Sequence, residues 1–140
     1  MGSPVFDYKK FPSLVHAADL IPEGWTVLED VEPTFDLDMS KWKLRLFLKD
    51  DDHIRGWLDP VEMRERAVEF GGNLGLSDGK RMLIEQNKLP EKFKEYFIPL
   101  PGTLLRTSDG GVVVPYFFVS KVNFAWHFDW DAGNRFVCRK

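Results

Sequence analysis

The stretch WHFDWD, Trp126 to Asp131, alternates an imidazole and carboxylates with aromatic rings. On a strand, successive side chains point to opposite faces, so His127 and Asp129 share one side, with Asp131 at the strand end. Two such ligands suit a divalent metal, and a bound zinc would activate a water or polarise a carbonyl. A catalytic zinc site normally takes three protein ligands, and this strand supplies two. A hairpin turning through Asp131, Ala132 and Gly133 also sets Arg135 across from Asp129, where a cross-strand ion pair satisfies the carboxylate more simply. His127 and Asp129 therefore stand only as weak metal candidates, and no cofactor is expected.

Other stretches resemble chemistry and fail on spacing. In FGGNLGLSDGKRM, the Walker pattern requires a glycine where Leu74 stands, and Arg81 replaces the magnesium-binding hydroxyl residue. The glycines also follow a helix, where a dinucleotide fingerprint would follow a strand. The plain reading is a helix C-cap at Gly71, Gly72 or Gly75 and a corner into the next helix. Asp50, Asp51, Asp52 and His53 lack the carboxylate spacing of a calcium loop and read as a solvated turn. Cys138 is expected on the face opposite His127, so thiol and imidazole point apart, and Cys138 reads as a small core residue. His16 has no partner in the sequence pattern.

Those groups must be positioned by the C-terminal strands. A three-residue loop ending in glycine pairs Trp130 with Asn134, Phe128 with Phe136 and Trp126 with Cys138. One face then collects Phe124, Trp126, Phe128, Trp130, Phe136 and Cys138. The other carries Asn123, Ala125, His127, Asp129, Arg135, Val137 and Arg139. Each buried ring is worth roughly 1.5–3 kcal/mol, so leaving five exposed would forfeit much of a margin of about 5–15 kcal/mol. The aromatic face is therefore expected to be core, beneath the helices.

The remaining elements follow from periodicity and capping. FPSLVHAADL reads as a short helix capped by Ser13, with Leu14, Val15, Ala18 and Leu20 available for packing. WTVLEDV and KWKLRLFLK read as strands, the second with Trp42, Leu44, Leu46 and Leu48 on one face. Asp59, Pro60 and Glu62 give helix-start chemistry, followed by Met63, Ala67, Phe70 and Leu74 on one stripe. Ser77 is expected to cap a second helix burying Met82, Leu83 and Leu89. From about residue 96 the pattern is consecutive strands with tight turns, an antiparallel meander. Pro115 inside VVVPYFF implies a bulge or an edge there. The expected architecture is α+β: an antiparallel meander of C-terminal strands plus two N-terminal strands, packed against a helical pair, in one domain over residues 1–140.

Composition bounds the function. The 140 residues are 44% hydrophobic and 29% charged, which fits a folded domain and argues against disorder. No apolar run approaches the roughly 20 residues needed to cross a bilayer. A single cysteine and no visible secretory signal lead to an expected cytoplasmic location. Net charge is −3, with nine basic against fifteen acidic residues in the first half and ten against seven in the second. Neither half carries the basic excess of a phosphate-binding protein, so nucleic acid is disfavoured.

The reading that results is a small non-catalytic binding or interaction domain. It would take a protein partner or small ligand, or pair as a homodimer, with Trp25, Trp42, Trp57 and Trp130 as candidate cleft-lining residues. The competing readings are a small metal-dependent or hydrolytic enzyme using His127 and Asp129, and weak single-stranded nucleic-acid binding through sheet aromatics. Metal analysis of protein prepared without chelator separates the first two. The expected result is no stoichiometric metal, whereas zinc or manganese lost on His127→Ala would establish the metal site.

Overall fold

The computed structural model describes residues 9–36, 41–45, 57–118, 121–125, 128–129 and 136–139. Its helices are α1 (Pro60–Phe70) and α2 (Leu76–Ile84), with single 3₁₀ turns at Pro12–His16, Ala18–Leu20, Gln86–Lys88 and Glu91–Glu95. Its main sheet is built around β6 (Val112–Phe118). β7 (Lys121–Ala125) pairs along one edge of β6. β4 (Ile98–Pro99) and β5 (Leu104–Arg106) share the other edge, and β1 (Thr26–Glu29) pairs with β5. Two further ladders join β2 (Trp42–Arg45) to β9 (Phe136–Arg139) and β3 (Trp57–Leu58) to β8 (Phe128–Asp129). Every pairing is antiparallel, and the fold is α+β. Both expected N-terminal strands are present, and each pairs with a later strand.

Pro115 lies in the central strand, and the reason it is tolerated there is local. Its carbonyl accepts from Leu100 N at 2.8 Å. On that edge β4 ends at Pro99 and β5 begins at Leu104, so residues 100–103 leave the ladder where the proline has no N–H to donate. On the other edge Pro115 sits opposite Phe124.

The helices take opposite faces of the sheet. Side chains alternate across a strand, and neighbouring residues of five strands divide accordingly. Leu28, Leu104, Val114, Ala125 and Cys138 pack with Met63 and Ala67 of α1. Val27, Leu105, Val113 and Phe124 pack with Leu76 of α2 and with Leu14, Ala17 and Ile21 of the N-terminal turns. Met82 of α2 joins Phe117, Ile98, Leu100, Val137 and Trp42 in an adjoining cluster. The expected helical pair over one oily face is therefore corrected to a sheet between two helices. Phe124 and Cys138, expected on the same face, belong to opposite sides. Among the described pairings, Phe128 lies opposite Leu58 and Phe136 opposite Arg45. Trp126, Trp130 and the loop through Asp131, Ala132 and Gly133, on which the expected hairpin register turns, lie outside the described residues.

Local chemistry sets the helix limits. Asp59 caps α1 by accepting from Glu62 N at 2.9 Å, while the Glu62 carboxylate accepts from Asp59 N, with Pro60 in the first turn. Gly71 ends α1 at φ 76°, a left-handed conformation that disfavours a side chain. The segment after Phe11 winds as 3₁₀ turns that bury Leu14, Ala17 and Ile21 and leave Val15 exposed, which reverses the expected role of Val15.

The turn between β4 and β5 is closely packed. Gly102 N donates to Leu74 O at 2.8 Å. A Cβ on Gly102 would stand 2.4 Å from Val31 Cγ2 and 2.9 Å from Leu74 O, a backbone atom that cannot swing away. Gly102→Ala is expected to lower unfolding stability by about 1–3 kcal/mol in urea denaturation. The control Gly111→Ala, whose nearest contact is 3.5 Å, should stay within about 0.5 kcal/mol of wild type. Equal midpoints for the two variants would contradict the packing.

Candidate functional site

Of the tryptophans expected to line a cleft, Trp25 and Trp42 do not share a wall. Trp25 is half-buried, edge-on to Phe124 with centroids 4.9 Å apart. Trp42 is 3% exposed, with its ring 5.2 Å from that of Phe35 and its indole N–H donating to Asp36 Oδ1 at 3.2 Å. Its edge borders a shallow depression of about 260 Å³ with Leu44, Pro90 and Phe93. The two indoles pack in separate clusters. The backbone of Trp57 lies in β3 opposite Asp129 of β8. Trp130, His127 and His53 lie outside the described residues. Among the described residues, no three His, Cys, Asp or Glu side chains are grouped to hold a metal. Cys138 is fully buried against Met63, Ala67, Leu104 and Val114.

The most concentrated polar geometry lies at the start of α2. Asp78, 1% exposed, accepts from Thr34 N at 2.9 Å and Phe35 N at 2.8 Å through Oδ1, and from Gly75 N at 2.9 Å through Oδ2. Beside it, Leu76 N donates to Thr103 Oγ1 at 2.8 Å, and that hydroxyl donates to Asp30 Oδ1 at 2.6 Å. Helix starts leave backbone N–H groups without intrahelical partners, and Asp78 and Thr103 satisfy two of them from inside the protein. Gly75 is the N-cap, so the expected cap, Ser77, falls within the first turn. Gly75 has no side chain to cap with, and residues from further along the chain do the work. A Cβ on Gly75 would stand 2.8 Å from Thr103 Oγ1. This cluster is saturated by its own hydrogen bonds, and its chemistry is structural.

Two concavities flank the helices. The one beside α2, about 390 Å³, is bordered by Pro33, Asp78, Lys80, Arg81, Ile84 and Glu85 among others. Its cations are engaged within the chain: Lys80 with Asp19, and Arg81 with Glu85 at 3.4 Å. The groove beside α1, about 570 Å³, is lined by Glu29, Val61, Arg64, Glu65, Val68 and Leu104. Val61 and Val68 are 54% and 62% exposed. Positions 61, 64, 65 and 68 follow the i, i+3, i+4, i+7 spacing of one helical stripe. That stripe lies opposite Met63, Ala67 and Phe70, which hold α1 on the sheet. Arg64 Nη1 is 3.5 Å from Glu29 Oε2, while its Nε is buried without a hydrogen-bond partner. Glu65 has no ion-pair partner among the described residues.

Reading α1 for its buried stripe missed this outer one. The available signal was two valines seven residues apart on a solvent face, where β-branched residues have lower helix propensity than Ala, Glu or Lys.

Fold and surface together define an α+β domain with antiparallel sheets and an amphipathic outer helix stripe. Comparison with known proteins gives no match: no family model, no curated protein and no solved structure resembles the chain. Among the described residues, no helix is long and apolar enough to cross a membrane.

The Asp78 cluster has a pH signature. Burial pushes the Asp78 carboxyl above its ordinary 3.8, opposed by the N–H groups of Gly75, Phe35 and Thr34 and by Arg81. A raised native pKa means that the folded chain keeps this proton where the unfolded chain has lost it. The group's contribution is therefore fullest below the unfolded pKa and is lost as pH rises through the native one. Asp78→Ala leaves buried N–H groups unsatisfied and is expected to destabilise by about 1–3 kcal/mol at neutral pH. The gap between wild type and variant should widen as pH falls toward about 4. A gap that narrows or stays constant in denaturation at several pH values would refute the assignment.

Proposed function

We propose that this chain is a small protein-interaction domain without catalytic chemistry, and that it docks a helical segment of a partner on the outer face of α1. One observation carries the reading: Val61 and Val68, both largely exposed, bracket Arg64 and Glu65 on a single helical stripe beside a groove. Helix-on-helix recognition uses apolar anchors at such spacings. Charges between the anchors add selectivity, because a wrong partner buries like charges against each other. The opposite face of α1 already supplies the packing that holds the helix. Burying the valines would therefore contribute to association without being needed for folding.

Peptide selection from a random display library against the whole chain tests this reading. Enriched sequences are expected to form helices with two apolar residues about seven positions apart. Val61→Asp or Val68→Asp should weaken their binding at least about tenfold, equivalent to about 1.4 kcal/mol, with the melting temperature nearly unchanged. Enriched peptides that bind both variants as tightly as wild type would overturn the proposal.

A further inference from the structure

We infer that the helix docked on this face is α1 of a second copy of the chain, packed antiparallel across a two-fold axis. The inference rests on the interaction reading above and names its partner. The stripe is self-complementary. A two-fold axis passing between Arg64 and Glu65 sets Val61 against Val68 of the second copy, and Val68 against its Val61. The same axis sets Arg64 against Glu65 of the second copy, and Glu65 against its Arg64. Each contact therefore occurs twice, as an isologous interface requires. Shifting the register by one helical turn either way would set valine against charge.

The charges already present fit this pairing. Glu65 has no cation of its own among the described residues, and the Arg64 side chain stays about a quarter exposed while its Nη1 lies 3.5 Å from Glu29 Oε2. A carboxylate arriving from the second copy would meet a guanidinium that is only partly used. Glu29 lines the same groove and gives each Arg64 a carboxylate on either side. Parallel packing would instead place Glu65 near Glu65 and Arg64 near Arg64, a like-charge arrangement that disfavours it.

The contact is small. α1 has 11 residues, and an exposed stripe of three turns buries less than the roughly 1,200 Å² typical of stable complexes. A reversible dimer with dissociation in the range of about 10–100 µM is expected.

Sedimentation equilibrium from about 1 to about 500 µM reads this directly. E65R alone and R64E alone are each expected to raise the dissociation constant at least about tenfold, because each places like charges across the axis. Mixing E65R with R64E should restore association, since the two chains now offer opposite charges at both contacts. Val68→Asp provides a variant whose loss of dimer does not depend on Arg64 and Glu29, and circular dichroism confirms that each variant is folded. A chain monomeric at every concentration overturns the inference, as does a dimer indifferent to all three substitutions. If the chain is monomeric yet selected peptides still bind through Val61 and Val68, self-association alone is overturned. If both fail, the interaction reading falls with it.

Discussion

The structure depends on two segments, distant in sequence, being tied to the first turn of α2. The Asp78 carboxylate takes N–H groups from Thr34, Phe35 and Gly75, and the Thr103 hydroxyl links Leu76 to Asp30. These bonds hold the connection after β1, the corner between the helices and the turn between β4 and β5 at one point. Burying a carboxylate is costly, and three backbone donors offset part of that cost here while burial still pushes the Asp78 carboxyl up. Phe35, held through its own N–H, packs against Trp42. The polar junction and the core cluster around Met82 and Phe117 are thereby coupled.

That anchoring lets the sheet be buried on both sides. With α2 and the N-terminal turns covering one face and α1 the other, β6 presents apolar residues in both directions. This explains why VVVPYFF reads as a continuous apolar run instead of an alternating one. α1 covers its face as a single layer and keeps its outer stripe in solvent. The proposed docking surface exists because, among the described residues, none is packed over the outer stripe of α1, where Val61 and Val68 remain largely exposed.

Several features were legible because they are local. Asp59, Pro60 and Glu62 announced the start of α1, the glycines from Gly71 onward its end, and the spacing of Met63, Ala67 and Phe70 its buried side. Leu74, read on the same stripe, lies past the helix in the cluster of Met82 and Phe117. Pro115 announced an interruption of pairing, although not that the interruption falls on the neighbouring strands. Ser77 misled because capping propensity is judged on adjacent residues, whereas this helix start is satisfied by Thr103, 27 positions away from Leu76. The C-terminal faces misled for a related reason. Placing Phe124 and Cys138 on one face assumed that a short loop alone arranges the late strands, whereas Cys138 lies opposite Lys43 of β2 and packs with α1, and Phe124 packs on the side of α2. The tryptophans were singled out by size alone, which says nothing of direction, and Trp42 turned into the core.

By itself, the sequence determined the class of fold, the start of α1, the antiparallel character of the late strands and the burial of Cys138. Each follows from interactions within a few residues or from the need to remove apolar surface from water. The tertiary structure decided which helix took which face, where the α2 start found its hydrogen bonds, and that Val61, Arg64, Glu65 and Val68 would remain outside. Those outcomes depend on which distant segments meet, and a one-dimensional pattern fixes periodicity without fixing partners.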